Sequence, residues 1–428
     1  MKALLILTIF TLGILKALQM PHFGVYLMSW ISYMNPHRMV PWSFIYSLPL
    51  AAIAFAVTLV GYIFYKDKPK KWFDSSILLL IALLIWGGIC ASNAIYPEFA
   101  SIELIRFIKI QLSIILTILI INKKQQLLFL VWVIFLSIGF FGIKGGAFTI
   151  MTAGSYLVWG PAGSFIQGNN ELGLALLMVL PLGYFLYQQY ENIWVKRFII
   201  ISMLLIIASV LGTHSRGALL ALIASGTFLW FKSRSKLPIA LFALVCILAA
   251  LPMMPQSWFD RMASIQTYEQ DASAMGRINA WSVAINVAND RLTGGGYNMF
   301  QQGVFNIYAP NPLDVHDVHS IYFEVLGEMG YPGLILFLLV LANIWFGAKK
   351  NIRQSNELKN KTSEHIWVAQ LNRMLQVSLI AYMTGGAFLG LAYWDLPYHL
   401  LALIVCCKNY LHNSKSSEMK FEKALTSG

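Results

Sequence analysis

The stretch DVHDVHSIYFEVLGEMGYPGLILFLLVL, residues 314–341, opens with aspartates and histidines and ends as hydrocarbon. Its apolar part is about 20 residues long, the length an α-helix needs to cross a bilayer core. Ionisable groups at the threshold of such a run are expensive to bury, so they mark a helix end or a polar chamber. The same apolar length recurs along the chain. Of 428 residues, 58% are hydrophobic and only 12% charged, more apolar surface than a soluble domain can use. Inside lipid every backbone polar group must be paired within the chain, which leaves helix bundles or closed barrels. Runs of about 20 residues, rather than alternating strands of about ten, select helices. The expected fold class is all-α: a polytopic membrane protein of about 12 transmembrane helices.

Candidate spans fall near residues 3–19, 43–65, 75–94, 102–121, 126–143, 170–188, 197–213, 215–231, 236–252, 319–347, 372–390 and 396–411. Residues 22–42, with Pro21, Pro36 and Pro41, read as an interfacial or re-entrant piece rather than a clean span. The N-terminus, MKALLILTIFTLGILKAL, imitates a signal peptide but lacks a small-x-small cleavage site before Pro21, so it counts as the first span. Basic loops KDKPKK (66–71), NKKQQ (122–126), VKR (195–197), KSRSK (232–236) and KKNIRQSNELKNK (349–361) alternate with Lys-poor ones. The positive-inside rule puts the basic side in the cytoplasm, with both termini there and a long loop, 253–318, facing outward. That rule also accounts for the net charge of +12 without a nucleic-acid partner. The four cysteines show neither disulfide nor zinc spacing, and no nucleotide-binding fingerprint is present. The expected division is 1–145 and 146–252 as membrane helices, 253–318 as the outward loop, 319–411 as further membrane helices and 412–428 as a cytoplasmic tail.

Polar and unusual residues collect on the outward side. In THSRGALLALI (213–223), Arg216 sits at a tight turn between two helices, followed by Gly217, which permits close backbone approach. Arg216 either serves a ligand or snorkels to lipid phosphates. In SAMGRINAWSVAINVANDRLTGGGYNMF (273–300), RINAWSVAINVAND has helical apolar spacing and reads as an amphipathic helix on the membrane surface. Arg277 falls in its first turn, unfavourable to the helix dipole without an anionic partner. Gly294, Gly295 and Gly296 supply a tight turn or, on weaker grounds, a phosphate cradle. His316 and His319 are three apart, weak evidence for a metal, and no metal or cofactor is expected. His319, as an imidazole, suits a general base or simply caps the helix start. The helix beyond it carries Glu324 and Glu328. In IELIRFIKI (102–110), Glu103, Arg106 and Lys109 share one helix face near the outer boundary, lining a polar cavity or forming an internal pair. NPHR (35–38) either meets the outer face or plays no part.

Two arginines and a histidine brought together would suit a diphosphate-linked donor: guanidinium forks hold phosphate oxygens, and histidine takes a hydroxyl proton. SRG at a helix junction, GR before AW, GGGYNMF, and HSIYFEVLGEMGYPG, with His319, Ser320, Glu328, Gly330 and Gly333, resemble the bacterial O-antigen ligase and polymerase superfamily. The N-terminal part, including PHFGVYLMSWISYMNPHR, is similar to the branch of O-glycosylation ligases associated with exosortase systems. The resemblance implies a GT-C-type, metal-independent, inverting glycosyltransferase of the bacterial inner membrane. Such enzymes move a glycan from undecaprenyl diphosphate to a hydroxyl of lipid A–core, protein or another surface acceptor, on the periplasmic side. Arg216 and Arg277 would then hold the diphosphate and His319 would activate the acceptor. His316, Glu328, Arg106 and Lys109 are the further substrate-binding candidates. A polymerase extending the lipid-linked glycan, or a transporter of it, are the alternatives.

Overall fold

The computed structural model describes residues 2–40, 44–66, 68, 74–232, 236–237, 240–241, 244, 248, 252, 254–263, 272–359 and 365–426. Most of the expected span 236–252, most of the basic run 66–71, and Glu269 and Asp271 lie outside the described residues. Among the described residues the regular elements are helices: α1 (Lys2–Gln19), α2 (Pro21–Met34), α3 (Leu50–Phe64), α4 (Ser75–Ser92), α5 (Pro97–Ile120), α6 (Lys124–Met151), α7 (Asn169–Gln189), α8 (Ile193–Gly212) and α9 (Arg216–Lys232). Then come α10 (Gln256–Ala263), α11 (Ala272–Asp290), α12 (Gln302–Tyr308), α13 (Ile321–Lys359), α14 (Ile366–Gly385) and α15 (Asp395–Thr426).

Six of these, α1, α4, α6, α7, α8 and α13, are long and apolar enough to cross a membrane, and α3 is a shorter apolar helix. The others are more polar or shorter than that standard. α14, which packs against α7, α9 and α13, shows why this is tolerable: protein rather than lipid covers it. Its Asn372 accepts a hydrogen bond from Asn351 at 3.0 Å, and Ser378 donates to Met178 O at 2.7 Å. Small residues set the closest helix approaches. Gly142, Gly145 and Gly146 of α6 face α8, where a Cβ on Gly142 would stand 2.7 Å from Ile206 and one on Gly146 would meet the Leu205 carbonyl.

Residues 22–34, read from sequence as part of a broken piece, are a regular helix. Pro21 occupies its first turn, where a proline costs nothing because that N–H has no helical partner. Asn35, in left-handed conformation (φ 48°), ends α2, and Pro36–Met39 forms a 3-10 turn. At 14 residues α2 is too short to span alone, yet it connects opposite ends of the bundle. Tyr26, near its start, donates to Gln126 O beside the basic 122–126 turn, while Tyr33, near its end, bonds His399 Nδ1 at 2.7 Å in the second turn of α15.

This extra leg reverses one expectation. Gly13 of α1 packs on Leu27, and Gly24 of α2 packs on Thr58 of α3 (2.7 Å from a built Cβ to Thr58 Cβ), so α2 runs antiparallel to both neighbours. Lys408, far along α15, pairs with Asp74 Oδ2 at 2.6 Å, at the basic end. The start of α1 and the far part of α15 therefore lie at opposite ends of the bundle, not on one side. The cause is the added helix α2, which changes the parity of everything before it.

Candidate functional site

The turn between α8 and α9 is the first component. His214 there adopts φ 51°, rare for a side chain with a Cβ, and the conformation is held by three contacts. Its Nε2 bonds Gly154 O at 2.8 Å, Asn169 Nδ2 donates to Thr213 O at 2.8 Å, and Val158 N donates to Gly212 O at 3.0 Å. Burial pulls the His214 pKa below its ordinary value, the bond to Gly154 opposes that, and the Arg261 charge adds to the lowering. Ser215 Oγ accepts from Ala218 N at 3.2 Å, and Arg216 follows as the first residue of α9. Arg216, rather than Arg277, is thus the cation set against the positive end of a helix dipole. α11 begins at Ala272, so Arg277 lies in its second turn, not its first. A Cβ on Gly217 would stand 3.4 Å from Phe388 Cβ, an ordinary contact, so that glycine is not required by the protein's own packing.

The second component joins α11 to the segment before α13. Asn279 Nδ2 donates to Asn311 O (2.8 Å) and Asp314 O (2.9 Å), and its Oδ1 accepts from Asn311 N (3.0 Å). Trp281 Nε1 donates to Val318 O at 2.8 Å, and its ring stacks on Phe323 with centroids 4.9 Å apart. The His316 ring lies flat on Gly276, where a Cβ would come within 2.5 Å of Cγ and 2.6 Å of Cε1. Gly276 is therefore glycine because His316 occupies the space, and its chain neighbour is Arg277. Each histidine has its own carboxylate neighbour: His316 Nδ1 is 2.7 Å from Asp314 Oδ1, and His319 Nδ1 is 3.6 Å from Asp317 Oδ2. His319 itself has φ 41°.

The third component is a polar chamber at the start of α13. Glu324 Oε2 accepts from Ala392 N at 3.0 Å, and Glu328 Oε1 accepts from Asn298 N at 2.7 Å. Glu328 Oε2, the Tyr297 and Tyr393 hydroxyls and Ser320 Oγ are buried around it without a closed hydrogen bond. The Tyr393 hydroxyl faces Glu328, short of the alignment of a made bond. The tyrosine rings are 5.0 Å apart, and Tyr393 packs on Phe107 of α5.

The glycine triplet is a turn, pressed between two backbones. Gly295 N donates to Gly327 O (2.8 Å), Gly296 N to Glu328 O (3.0 Å), and Ile95 N to Gly295 O (2.8 Å). α13 opens to receive it at Gly330, whose φ of 65° and ψ of −174° break the helix. Arg291 Nε donates to Gly294 O at 3.0 Å and caps the turn.

These contacts bring Arg216, Arg277, His316, His319 and Glu328 to one end of the bundle. Phe388 lies beside Gly217, Gly386 lies against Ile321 (2.7 Å from a built Cβ to Cδ1), and Ile321 is two residues past His319. Arg106 reaches the same end: it pairs with Glu103 at 2.9 Å and stands 5.2 Å from the Phe165 ring centroid. The internal pair is thus formed. Lys109, one turn beyond Arg106 on α5, is exposed. Arg38 of the NPHR run stands against Gly163, so this run does meet the loop at that end. Sequence reasoning missed Asn279, Trp281, Tyr297, Tyr393 and Asn169. Trp281 and Tyr297 stood inside the AW and GGGYNMF motifs without a role, and Asn279 showed only as a polar position on a helix with regular apolar spacing.

Residues 201–338 match the O-antigen ligase family, and residues 1–191 match a family of unknown function (DUF5935). The first match contains Arg216, Arg277, His316, His319 and Glu328; the second contains Arg106 and Lys109. No curated protein matches the chain.

Proposed function

We propose that this chain, which belongs to the O-antigen ligase-like superfamily through residues 201–338, transfers a glycan from a polyprenyl-diphosphate donor to an acceptor hydroxyl. In this reading it is a GT-C-type enzyme of the inner membrane with about 12 spans, working at the periplasmic end. The acceptor oxygen attacks the anomeric carbon from the face opposite the diphosphate, the carbon–oxygen bond to the diphosphate breaks, and configuration inverts. The acceptor proton passes to the His319 imidazole. Asp317 Oδ2 stands 3.6 Å from Nδ1, and closing that gap on substrate binding would orient the ring with Nε2 toward the acceptor. Arg216 and Arg277 neutralise charge as it grows on the departing diphosphate, the interaction that most lowers the barrier to such a step. Glu328, His316, Arg106 and Lys109 contact sugar hydroxyls or the headgroup.

The single supporting observation is that the α9 start, the α11 second turn and His319, two residues before α13, lie at one end. The test uses purified protein with a lipid-linked glycan donor and a hydroxyl acceptor in detergent. Arg216→Ala, Arg277→Ala and His319→Ala are each expected to lose transfer by about 10²-fold or more while remaining monodisperse. Full turnover in any of them removes that residue from the mechanism. Glycan lengthening on the donor lipid would identify a polymerase, and absence of donor turnover by wild-type protein would leave a transporter.

A further inference from the structure

At the opposite, basic end of the bundle a shallow cavity of about 490 Å³ opens between α6, the α7–α8 turn and the first turns of α8. Trp132, Tyr190, Trp194, Val195 and Phe198 line it. Trp132 Nε1 donates to the Tyr190 hydroxyl at 2.8 Å, so the indole N–H of Trp132 is already used within the protein. Such a lining has little with which to bind a sugar or a polar peptide; it suits hydrocarbon. Two cations stand at its rim. The Arg197 guanidinium lies over the Trp194 ring at 5.2 Å, and the Lys196 ammonium lies over Tyr187 at 5.5 Å. Lys196 is also 3.3 Å from Glu191, but that carboxylate is 97% exposed and the pair is screened by solvent. Arg197 has no carboxylate within ion-pair distance among the described residues.

We infer that this cavity binds one anionic phospholipid, its phosphate held by Arg197 and secondarily Lys196, its glycerol and upper acyl chain laid along Trp132, Tyr190, Trp194 and Phe198. Aromatic rings at the headgroup level, next to basic side chains between helices, are what such a lipid's apolar body and charged head require. Arginine matches a phosphate diester by two parallel hydrogen bonds, and its stacking on Trp194 orients the fork in advance. The inference uses none of the groups assigned to glycan transfer, so either can fail without the other.

The experiment is fluorescence quenching of the purified full chain in micelles containing dibrominated phosphatidylglycerol or dibrominated phosphatidylcholine. The chain has 13 tryptophans, so the cavity's signal is the difference between wild type and Trp194→Phe. Phosphatidylglycerol is expected to quench that component at a lower mole fraction than phosphatidylcholine. Arg197→Gln, an exposed substitution, should reduce the preference about fivefold, the worth of one basic residue at an anionic lipid surface. Equal quenching by the two lipids, an unchanged preference in Arg197→Gln, or no difference between wild type and Trp194→Phe would each overturn the proposal.

Discussion

Replacing Gly276 by alanine perturbs the candidate site through one methyl group. The added carbon would lie 2.5 Å from His316 Cγ and 2.6 Å from Cε1, where carbon atoms need about 3.5 Å, so the ring or α11 must retreat by about 1 Å. One of the contacts is to Cγ, the ring atom bonded to Cβ, so swinging the far edge of the ring cannot by itself relieve the clash. Overpacking of this kind costs about 1–3 kcal/mol, against which alanine recovers about 0.8–1.0 kcal/mol of helix propensity. The net loss of stability is therefore about 0–2 kcal/mol, compatible with a folded protein. Activity should suffer more. Arg277 follows Gly276 directly, and a displacement of about 1 Å in a positioning group can cost about 10²-fold in rate. The assay pairs thermal unfolding in detergent with glycan-transfer turnover. In a His316→Ala background the ring is gone, and Gly276→Ala should then lower neither stability nor rate below that of His316→Ala alone, a coupling read from the double-mutant cycle. Gly226→Ala, in α9 with nothing within 4 Å of the new carbon, is the matched control and should keep full activity. Wild-type turnover in Gly276→Ala, or an equal loss in the His316→Ala background, would refute the reasoning.

Further outcomes follow from the same geometry. Gly294→Ala adds a Cβ 2.7 Å from backbone atoms of Glu328 and Gly330 at a φ of 65°, so it should destabilise by about 2–5 kcal/mol; an unshifted thermal midpoint would contradict this. Glu328→Ala leaves the Asn298 N–H without its acceptor, costing about 1–3 kcal/mol, whereas Glu328→Gln keeps that oxygen and should stay near wild-type stability. His214 has a folded pKa lowered by burial, so above its ordinary value of 6.5 it is neutral folded or unfolded and adds no pH dependence. As pH falls from 6.5 through the lower folded value, the unfolded chain takes the proton first and stability is lost. The thermal midpoint should fall between pH 7 and 5, and His214→Gln should flatten that slope; an identical slope would remove His214 as its cause.

Much of the outer end was readable in the residues because its chemistry is local. Arg216, Arg277 and His319 stood out as ionisable groups beside apolar runs, and GGGYN announced a turn that no other residue type could make. The partners were not readable. Nothing in the order of residues ties Gly276 to His316, Asn169 to Thr213, or Tyr297 and Tyr393 to Glu328, since each pair is separated by tens of positions and joined only by packing. The glycine of GR had no role assigned from the residues alone and is the space required by an imidazole ring. Pro21 looked like a breaker and is a helix start, because its effect depends on whether it stands in the first turn or the interior.

Sequence by itself determined the all-helical architecture, the segregation of basic loops from the His- and Asp-bearing end, and the identity of the conspicuous cations. These follow from apolar run length and composition, which act over one helix at a time. Tertiary structure alone decided that α2 is a further leg which puts the start of α1 and the far part of α15 at opposite ends, and that Arg216, Arg277, His316, His319, Glu328 and Arg106 share one end. Helix direction and side-chain convergence depend on which faces pack together, and in a bundle whose helices are apolar nearly all round, hydropathy does not say which face that is.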